Sequence, residues 1–414
     1  MISIYATHKT PRLEYVLDFC FGSKGEEWQI ISVLQKWTHV NEFRINYSND
    51  DVPADLTIRP HPLLFSNAIN PDVELTYENE QLSIDAVEDE LSVIFYLLTC
   101  QSEYGDNDRD EHDRLKAKNH PLVKLGLNNR PIADELVVSV WDKIGLDYSQ
   151  ILKRYQCVPS FDIDIAWAYK NRGLIRGMAA FLKSKHKKER LKVILGKQKD
   201  PYDTYDTIDE IALTLERIIC FALLGDWSKY DKNIHWKNRK LGSLIRGLNA
   251  TGGMGIHPSY NTYLDPAKIR DEISRLESIV GHEVTKSRQH FLRLRLPESY
   301  RLLIQCGIRR DYSMGFADNL GFRAGTSFPY LWFDLEKNEQ TELLVFPFAY
   351  MDSALKDYLK LDPEKAKENI RELILHTRKV GGVFMFIWHN SSINDRDEWR
   401  GWKEVLDFTV EYGQ

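Results

Sequence analysis

The chain has 414 residues, 43% of them hydrophobic and 28% charged, with a formal net charge of -6. That length predicts two domains and that composition an ordinary globular protein. The acidic balance argues against a general nucleic-acid binder, and no apolar run is long enough for a membrane span, so neither partner is expected. The opening MISIYATHKTPRLEYVL has no charged-then-apolar pattern, so no secretory leader is expected either. Five scattered cysteines, Cys20, Cys100, Cys157, Cys220 and Cys306, form no CxxC pair. They read as buried free thiols of a reducing compartment, and a cytoplasmic location is the default expectation.

Residues 1–150 are expected to form a smaller α+β N-terminal domain whose role the residues do not reveal. Ile2–Tyr5, Leu56–Arg59 and Leu82–Asp85 read as strands, and Arg12–Phe21, Glu88–Thr99 and Ala133–Ile144 as helices. Between the last two helices lies the charged stretch Tyr104–Arg114. Asp106, Asp108, Asp110 and His112 could be drawn as a metal loop. The stretch lacks the central glycine and terminal glutamate of an EF-hand, so a solvated loop is the better reading.

Residues 151–414 alternate strand and helix. Pro159–Trp167 is an apolar strand carrying Asp162 and Asp164, two apart and therefore on one face. A helical stretch, Tyr169–Ser184, and a basic run, Lys183–Lys192, follow it; the run reads as a solvated face rather than a membrane or anion surface. Strands are then expected at Arg217–Leu224, Met254–His257, Ser287–Leu292, Arg310–Ser313, Leu343–Phe348 and Val383–Trp388. Helices are expected at Lys240–Asn249, Asp265–Val280, Glu298–Cys306, Pro363–Lys379 and Trp399–Tyr412. Seven strands alternating with helices predict an α/β fold, either a parallel barrel or a doubly wound sheet.

Polar residues recur toward the carboxyl ends of these strands: Asp162 and Asp164, His257, Arg288 with His290, and His389. In a parallel barrel all such ends open on one face, so residues distant in sequence converge. A carboxylate with imidazoles and one open position is the ligand set of a catalytic metal, zinc above all. Each histidine alone is more often a hydrogen-bonded structural residue; the joint placement carries the reading.

At these residues the sequence resembles the polysaccharide deacetylase family, carbohydrate esterase family 4, in its divergent two-domain bacterial form. Ser160-Phe161-Asp162 with Asp164 resembles the opening motif, Met254-Gly255-Ile256-His257-Pro258-Ser259 the histidine motif, and Ser287-Arg288-Gln289-His290 the arginine motif. Phe384–Trp388 followed by His389 resembles the final apolar-x-His motif. The resemblance implies a distorted seven-stranded (β/α) barrel and a metal-dependent hydrolase that removes an N-acetyl or O-acetyl group from a saccharide substrate. It implies Asp162 as general base, Arg288 as the residue that orients it, His389 as general acid, and Asp164 and His257 as ligands of a divalent metal, zinc by expectation.

Two departures from the family pattern stand out. The position four after His257 is Asn261 rather than a second histidine, and Ile163 separates the two acids, which are typically adjacent. His290 is the candidate for the missing third ligand. Gly321-Phe322-Arg323-Ala324-Gly325-Thr326 is a second candidate for the arginine motif, with glycines suited to a loop close to a ligand. Arg323, Trp332 and Tyr260 are the candidate substrate-binding residues. Trp332 belongs to an aromatic run with Phe328, Tyr330 and Phe333 that reads equally as sugar-stacking wall or as core. His235 and Trp236 lie in a loop that could reach the site. The alternative function, favoured by Asn261, is a barrel without catalysis that binds a carbohydrate or a partner.

Overall fold

The structure, a computed structural model, describes residues 1–38, 43–105, 108–171, 186–215 and 217–414. The fold is mixed α/β. Strands β1 (Ile2–Tyr5), β2 (Trp28–Ile31), β3 (Phe43–Tyr47) and β4 (Leu56–Ile58) form a sheet in the order β2-β1-β3-β4. Where the sequence predicts an α+β mixture, all three of these pairings are parallel. The antiparallel element of this region is the hairpin of β5 (Leu75–Glu78) and β6 (Gln81–Ile84).

The larger sheet has nine strands rather than the expected seven. They are β7 (Gln156–Ile163), β8 (Ile219–Ala222), β9 (Met254–Ile256), β10 (Lys286–Ser287), β11 (Arg310–Asp311), β12 (Tyr330–Asp334), β13 (Glu339–Val345), β14 (Tyr350–Met351) and β15 (Val383–His389). The order is β12-β13-β11-β10-β9-β8-β7-β15-β14, parallel except for the β12–β13 pair. The extra strands are β12, formed by the aromatic run, and β14, which lies just beyond the strand expected at Leu343–Phe348. The linker between them bonds to both sides of the sheet. Phe346 N–H donates to the Asp311 carbonyl (2.8 Å), and Ala349 N–H donates to the Met385 carbonyl of β15 (2.7 Å).

The connecting helices follow local chemistry. Over Pro266–Val280, Asp265 caps the first turn by accepting from Lys268 N–H, and Pro266 suits the first helical position. Ile269, Ile273 and Leu276 then form the buried stripe, and Gly281 ends the helix with a left-handed φ of 80°. The expected strand Ser287–Leu292 is cut short. Only Ser287 stays in the ladder, and His290–Leu292 form a 3-10 turn in which Phe291 takes a φ of 62°.

One apolar core cluster extends from Ile2 to Val410 and so joins the N-terminal sheet to the larger one. Polar ties cross between them. Tyr15 Oη donates to the Leu331 carbonyl at 2.7 Å, and Asp134 accepts from Thr326 Oγ1 (2.6 Å) and Ser327 N–H (2.7 Å). Four of the five cysteines are buried, and all are free thiols. Among the described residues no helix is long and apolar enough to cross a membrane. Most of the helix expected over Tyr169–Ser184, the start of the basic run, and Asp106 lie outside the described residues; Lys187–Ile194 is helical.

Candidate metal centre

The carboxyl ends of β7, β9, β10 and β15 deliver one cluster. Asp162 lies in β7, one residue before its end, and is the register partner of His389, the last residue of β15. Asp164 follows β7, His257 follows β9, and Arg288 follows β10. Asp162, Asp164, His257, His290 and His389 line one cleft of about 370 Å³, and Arg288 is buried outside its lining. Six residues picked out in the sequence, Asp162, Asp164, His257, Arg288, His290 and His389, are therefore brought together.

Asp164 is the hub. Its Oδ1 lies 3.2 Å from His257 Nε2, and its Oδ2 lies 3.3 Å from His290 Nε2 and 3.6 Å from His389 Nε2. The tautomers of the two nearer histidines follow from their other nitrogens. His257 Nδ1 is 2.6 Å from the Arg288 carbonyl, which can only accept, so Nδ1 carries the hydrogen. His290 Nδ1 likewise faces Asp231 Oδ1 at 2.9 Å. Each Nε2 is left to face the Asp164 carboxylate. Two nitrogen lone pairs and a carboxylate at this range repel one another unless a proton or a cation stands between them.

The chemistry of the donors fits a divalent cation. Asp164 Oδ1 is buried and has no hydrogen-bond partner. One ligand atom from each of Asp164, His257 and His290 lies within 4.8 Å of the others. The two contacts of 3.2–3.3 Å match the separation of about 3.3 Å between ligands held at about 2.0–2.1 Å around tetrahedral zinc. Burial alone would raise the Asp164 pKa, but His290, His257 and His389 hold it well below the usual carboxylate range. Burial would lower His290, but Asp164 and Asp231 push it up to about 9.

Asp162 faces the centre from the other side. Its Oδ2 is 3.9 Å from His257 Nε2, and its Oδ1 accepts from Arg288 Nη1 at 2.8 Å. Arg288 is fully buried and fixed at every arm. Its Nε donates to the Tyr312 carbonyl (3.0 Å) and its Nη2 to Ser160 Oγ (2.8 Å), while the guanidinium lies over the Phe221 ring. Across the cleft, His389 Nδ1 meets Asp352 Oδ1 at 2.8 Å. Burial would lower His389, but Asp352, then Asp164 and Asp162, push it up to about 10. The pairing with Asp352 favours the protonated ring.

The three expected substrate contacts fare differently. Arg323 is corrected. It is 4% exposed and bound by Glu103, whose Oε1 accepts from Nε at 2.7 Å, so it cannot meet a substrate. The glycines beside it serve packing: a Cβ on Gly321, at φ 105°, would lie 1.9 Å from the Asn128 carbonyl oxygen. Trp332 is corrected too. It is 1% exposed in β12 and packs on Tyr300, because inward β12 positions face the shared core. Tyr260 does not line the cleft. It stacks on Tyr230 at 4.1 Å, and its N–H donates to Asp231 Oδ1 at 2.8 Å. His235 and Trp236 are also outside the cleft lining. The acids of the charged loop are engaged locally, Asp108 by Lys116 and Asp110 by Arg114.

Two residues escaped the sequence reading. Asp231 sits in a loop without apolar periodicity, and no sequence signal marks it. Asp352 follows β14 directly, an acid at an apolar strand end. Placing the strand end at Pro347 hid it. Arg114, Tyr358, Ser391, Ser392 and Trp399 complete much of the cleft wall. Arg114 comes from the N-terminal region and donates to the Phe291 carbonyl at 3.2 Å.

A family model described as a family of unknown function, DUF7033, matches residues 2–148. No curated protein matches the chain. Among solved structures the chain is similar to a Mycobacterium smegmatis protein assigned as a polysaccharide deacetylase, at 14% identity and a TM-score of 0.41, over 62% of this chain and 84% of that one. A probable polysaccharide deacetylase from Pseudomonas aeruginosa PAO1 aligns at 11% identity and a TM-score of 0.40, over 63% and 85%. The polysaccharide deacetylase Bc1974 from Bacillus cereus aligns at 10% identity and a TM-score of 0.31, over 62% and 85%.

Proposed function

We propose that the protein is a metal-dependent hydrolase that removes an acyl group, N-acetyl or O-acetyl, from a saccharide. The observation that carries this reading is the convergence of Asp164 with His257 Nε2 and His290 Nε2 between a carboxylate, Asp162, and an imidazole, His389. A base and an acid on opposite sides of one cation site is what acyl transfer to water requires.

In this reading Asp164, His257 and His290 hold a divalent cation, zinc by donor type. The cation would polarise the acyl carbonyl and supply positive charge where an oxyanion develops. Asp162 takes a proton from the attacking water, and Arg288 aims its carboxylate through a charge-assisted hydrogen bond. His389 gives its proton to the departing nitrogen or oxygen as the acyl bond breaks, and Asp352 fixes the ring that does so. The sheet is read as a distorted (β/α) barrel closed through residues 346–349, which bond to both β11 and β15. Residues 1–150 are read as a separate N-terminal domain that lends Arg114 to the cleft. The buried thiols fit a reducing compartment such as the cytoplasm.

The test is elemental analysis of the untagged protein after dialysis, beside an Asp164→Ala/His257→Ala double variant, followed by acetate release from N- and O-acetylated sugars. About one equivalent of zinc or another divalent metal, lost in the variant, with acetate release that Asp162→Asn abolishes, supports the proposal. No metal after reconstitution would instead favour a binding protein without catalysis.

A further inference from the structure

The opposite mouth of the larger sheet holds a second cavity, of about 600 Å³. It lies at the amino ends of the strands. Gln156 begins β7, Ile219 begins β8, Lys286 begins β10, Arg310 begins β11 and Val383 begins β15, and all of these line it. The candidate metal centre sits at the carboxyl ends, so the two sites are distinct.

The charge of this cavity is one-sided. Lys286, Arg310 and Arg217 line it, and among the described lining residues there is no aspartate or glutamate. Lys286 and Arg310 are direct register partners on adjacent parallel strands. Like charges set side by side on a sheet destabilise it. Among the described residues neither forms an ion pair. The contrast with the next residue is direct: Arg309 has Glu283 Oε1 at 3.4 Å. Among the described residues Arg217 is engaged by a neutral group, donating to the Gln156 side-chain oxygen at 2.8 Å. Lys286 is partly buried, and burial followed by Arg310 lowers its pKa. Three cations thus stand around a concavity whose described lining holds no carboxylate.

The floor is apolar. Val158, Ile219, Tyr312, Phe346 and Met385 form it, and the Tyr312 and Phe346 rings stack at 4.5 Å with an 11° tilt. Tyr312 and Met385 also separate this cavity from Arg288, whose Nε donates to the Tyr312 carbonyl. A cationic rim over an apolar floor selects an oxyanion that carries a compact apolar body. Guanidinium and ammonium groups together suit phosphate and carboxylate oxygens.

We infer that this cavity is a binding site for a small organic oxyanion, a phosphate monoester or a carboxylate bearing an apolar or aromatic group. The inference stands apart from the reading of the metal centre.

Titration calorimetry of the full chain at low ionic strength tests it, with phenyl phosphate, benzoate and inorganic phosphate as probes. One equivalent of phenyl phosphate or benzoate should bind, inorganic phosphate more weakly because it leaves the apolar floor unused. The stronger of the two organic probes identifies the anion type. Lys286→Gln/Arg310→Gln should weaken that probe by about tenfold or more, as expected when charge-assisted hydrogen bonds are lost. Lys286→Arg should retain binding. Without anion the double variant should melt at or above the parent temperature, since it relieves repulsion. Absence of binding by both organic probes overturns the inference. So does affinity that the double variant leaves unchanged, since such binding lies elsewhere, including at the metal centre.

Discussion

Asp231 holds His290 from the side away from the cleft: its Oδ1 accepts from His290 Nδ1 at 2.9 Å. The same carboxylate accepts from Tyr260 N–H at 2.8 Å and from Ser228 Oγ at 2.7 Å, and it is 1% exposed. A carboxylate so tied has one orientation. It therefore dictates which imidazole nitrogen keeps its hydrogen and which faces Asp164. Asparagine would remove that charge and present an amide of ambiguous polarity. Asp231→Asn should weaken divalent-metal affinity by about 10- to 100-fold, the usual effect of losing a ligand's outer carboxylate. Chelator competition measures it. An unchanged affinity would remove His290 from the ligand set.

The Arg288–Asp162 pair makes two separable predictions. Asp162→Asn keeps the shape of the pair and leaves Asp164, His257 and His290 untouched, so turnover should vanish while metal content stays at the parent level. Loss of metal would instead make Asp162 a ligand. Arg288→Met removes the partner of a carboxylate that is 2% exposed. Stability in a denaturant titration should fall by about 3–5 kcal/mol, the effect of leaving a buried charge unpaired.

The parts of this site that could be read from the sequence are those that end apolar strands. His257 and His389 each follow an apolar run and Asp162 lies near the end of one, and period and polarity mark such positions without reference to the fold. Arg288 and His290 were legible for a weaker reason, because the turn that carries His290 departs from the strand expected there. Asp231 was not legible: its role exists only because the loop folds beneath His290. Arg323 and Trp332 were misread for one reason. A lone arginine between glycines and an aromatic run look alike whether they meet a ligand or another part of the chain. Here that other part is the N-terminal region, through Glu103 and the shared core. The nine-strand count was missed because the aromatic run of β12 reads equally as wall or core and the two-residue β14 leaves no periodicity to count.

The burial of Arg323 is itself testable. Glu103 is fully buried beside it; burial would raise that carboxyl, but Arg323 lowers it below the usual range. Arg323→Met should therefore cost stability of about 3–5 kcal/mol, as for any buried pair broken on one side. The KM for an acetylated sugar should stay unchanged in whatever fraction remains folded. A raised KM with unaltered unfolding would restore Arg323 to the substrate.

Glu272 offers a pH signature away from the cluster. It is 3% exposed and accepts from Ser259 N–H (2.9 Å) and Oγ (2.6 Å). Burial raises its pKa from 4.5 to about 7, against the lowering pull of Ser259. The folded state thus binds a proton that the unfolded state releases between about pH 4.5 and 7. The stabilising contribution is complete below the lower value and is lost as pH rises through the upper one. At about 1.4 kcal/mol per pKa unit the full swing is about 3 kcal/mol. Glu272→Gln, which cannot ionise, should flatten the fall in unfolding free energy between pH 5 and 7 relative to the parent protein. Denaturant titrations at stepped pH would show it. Parallel pH profiles for the two proteins would mean that Glu272 ionises in the fold as readily as in the open chain.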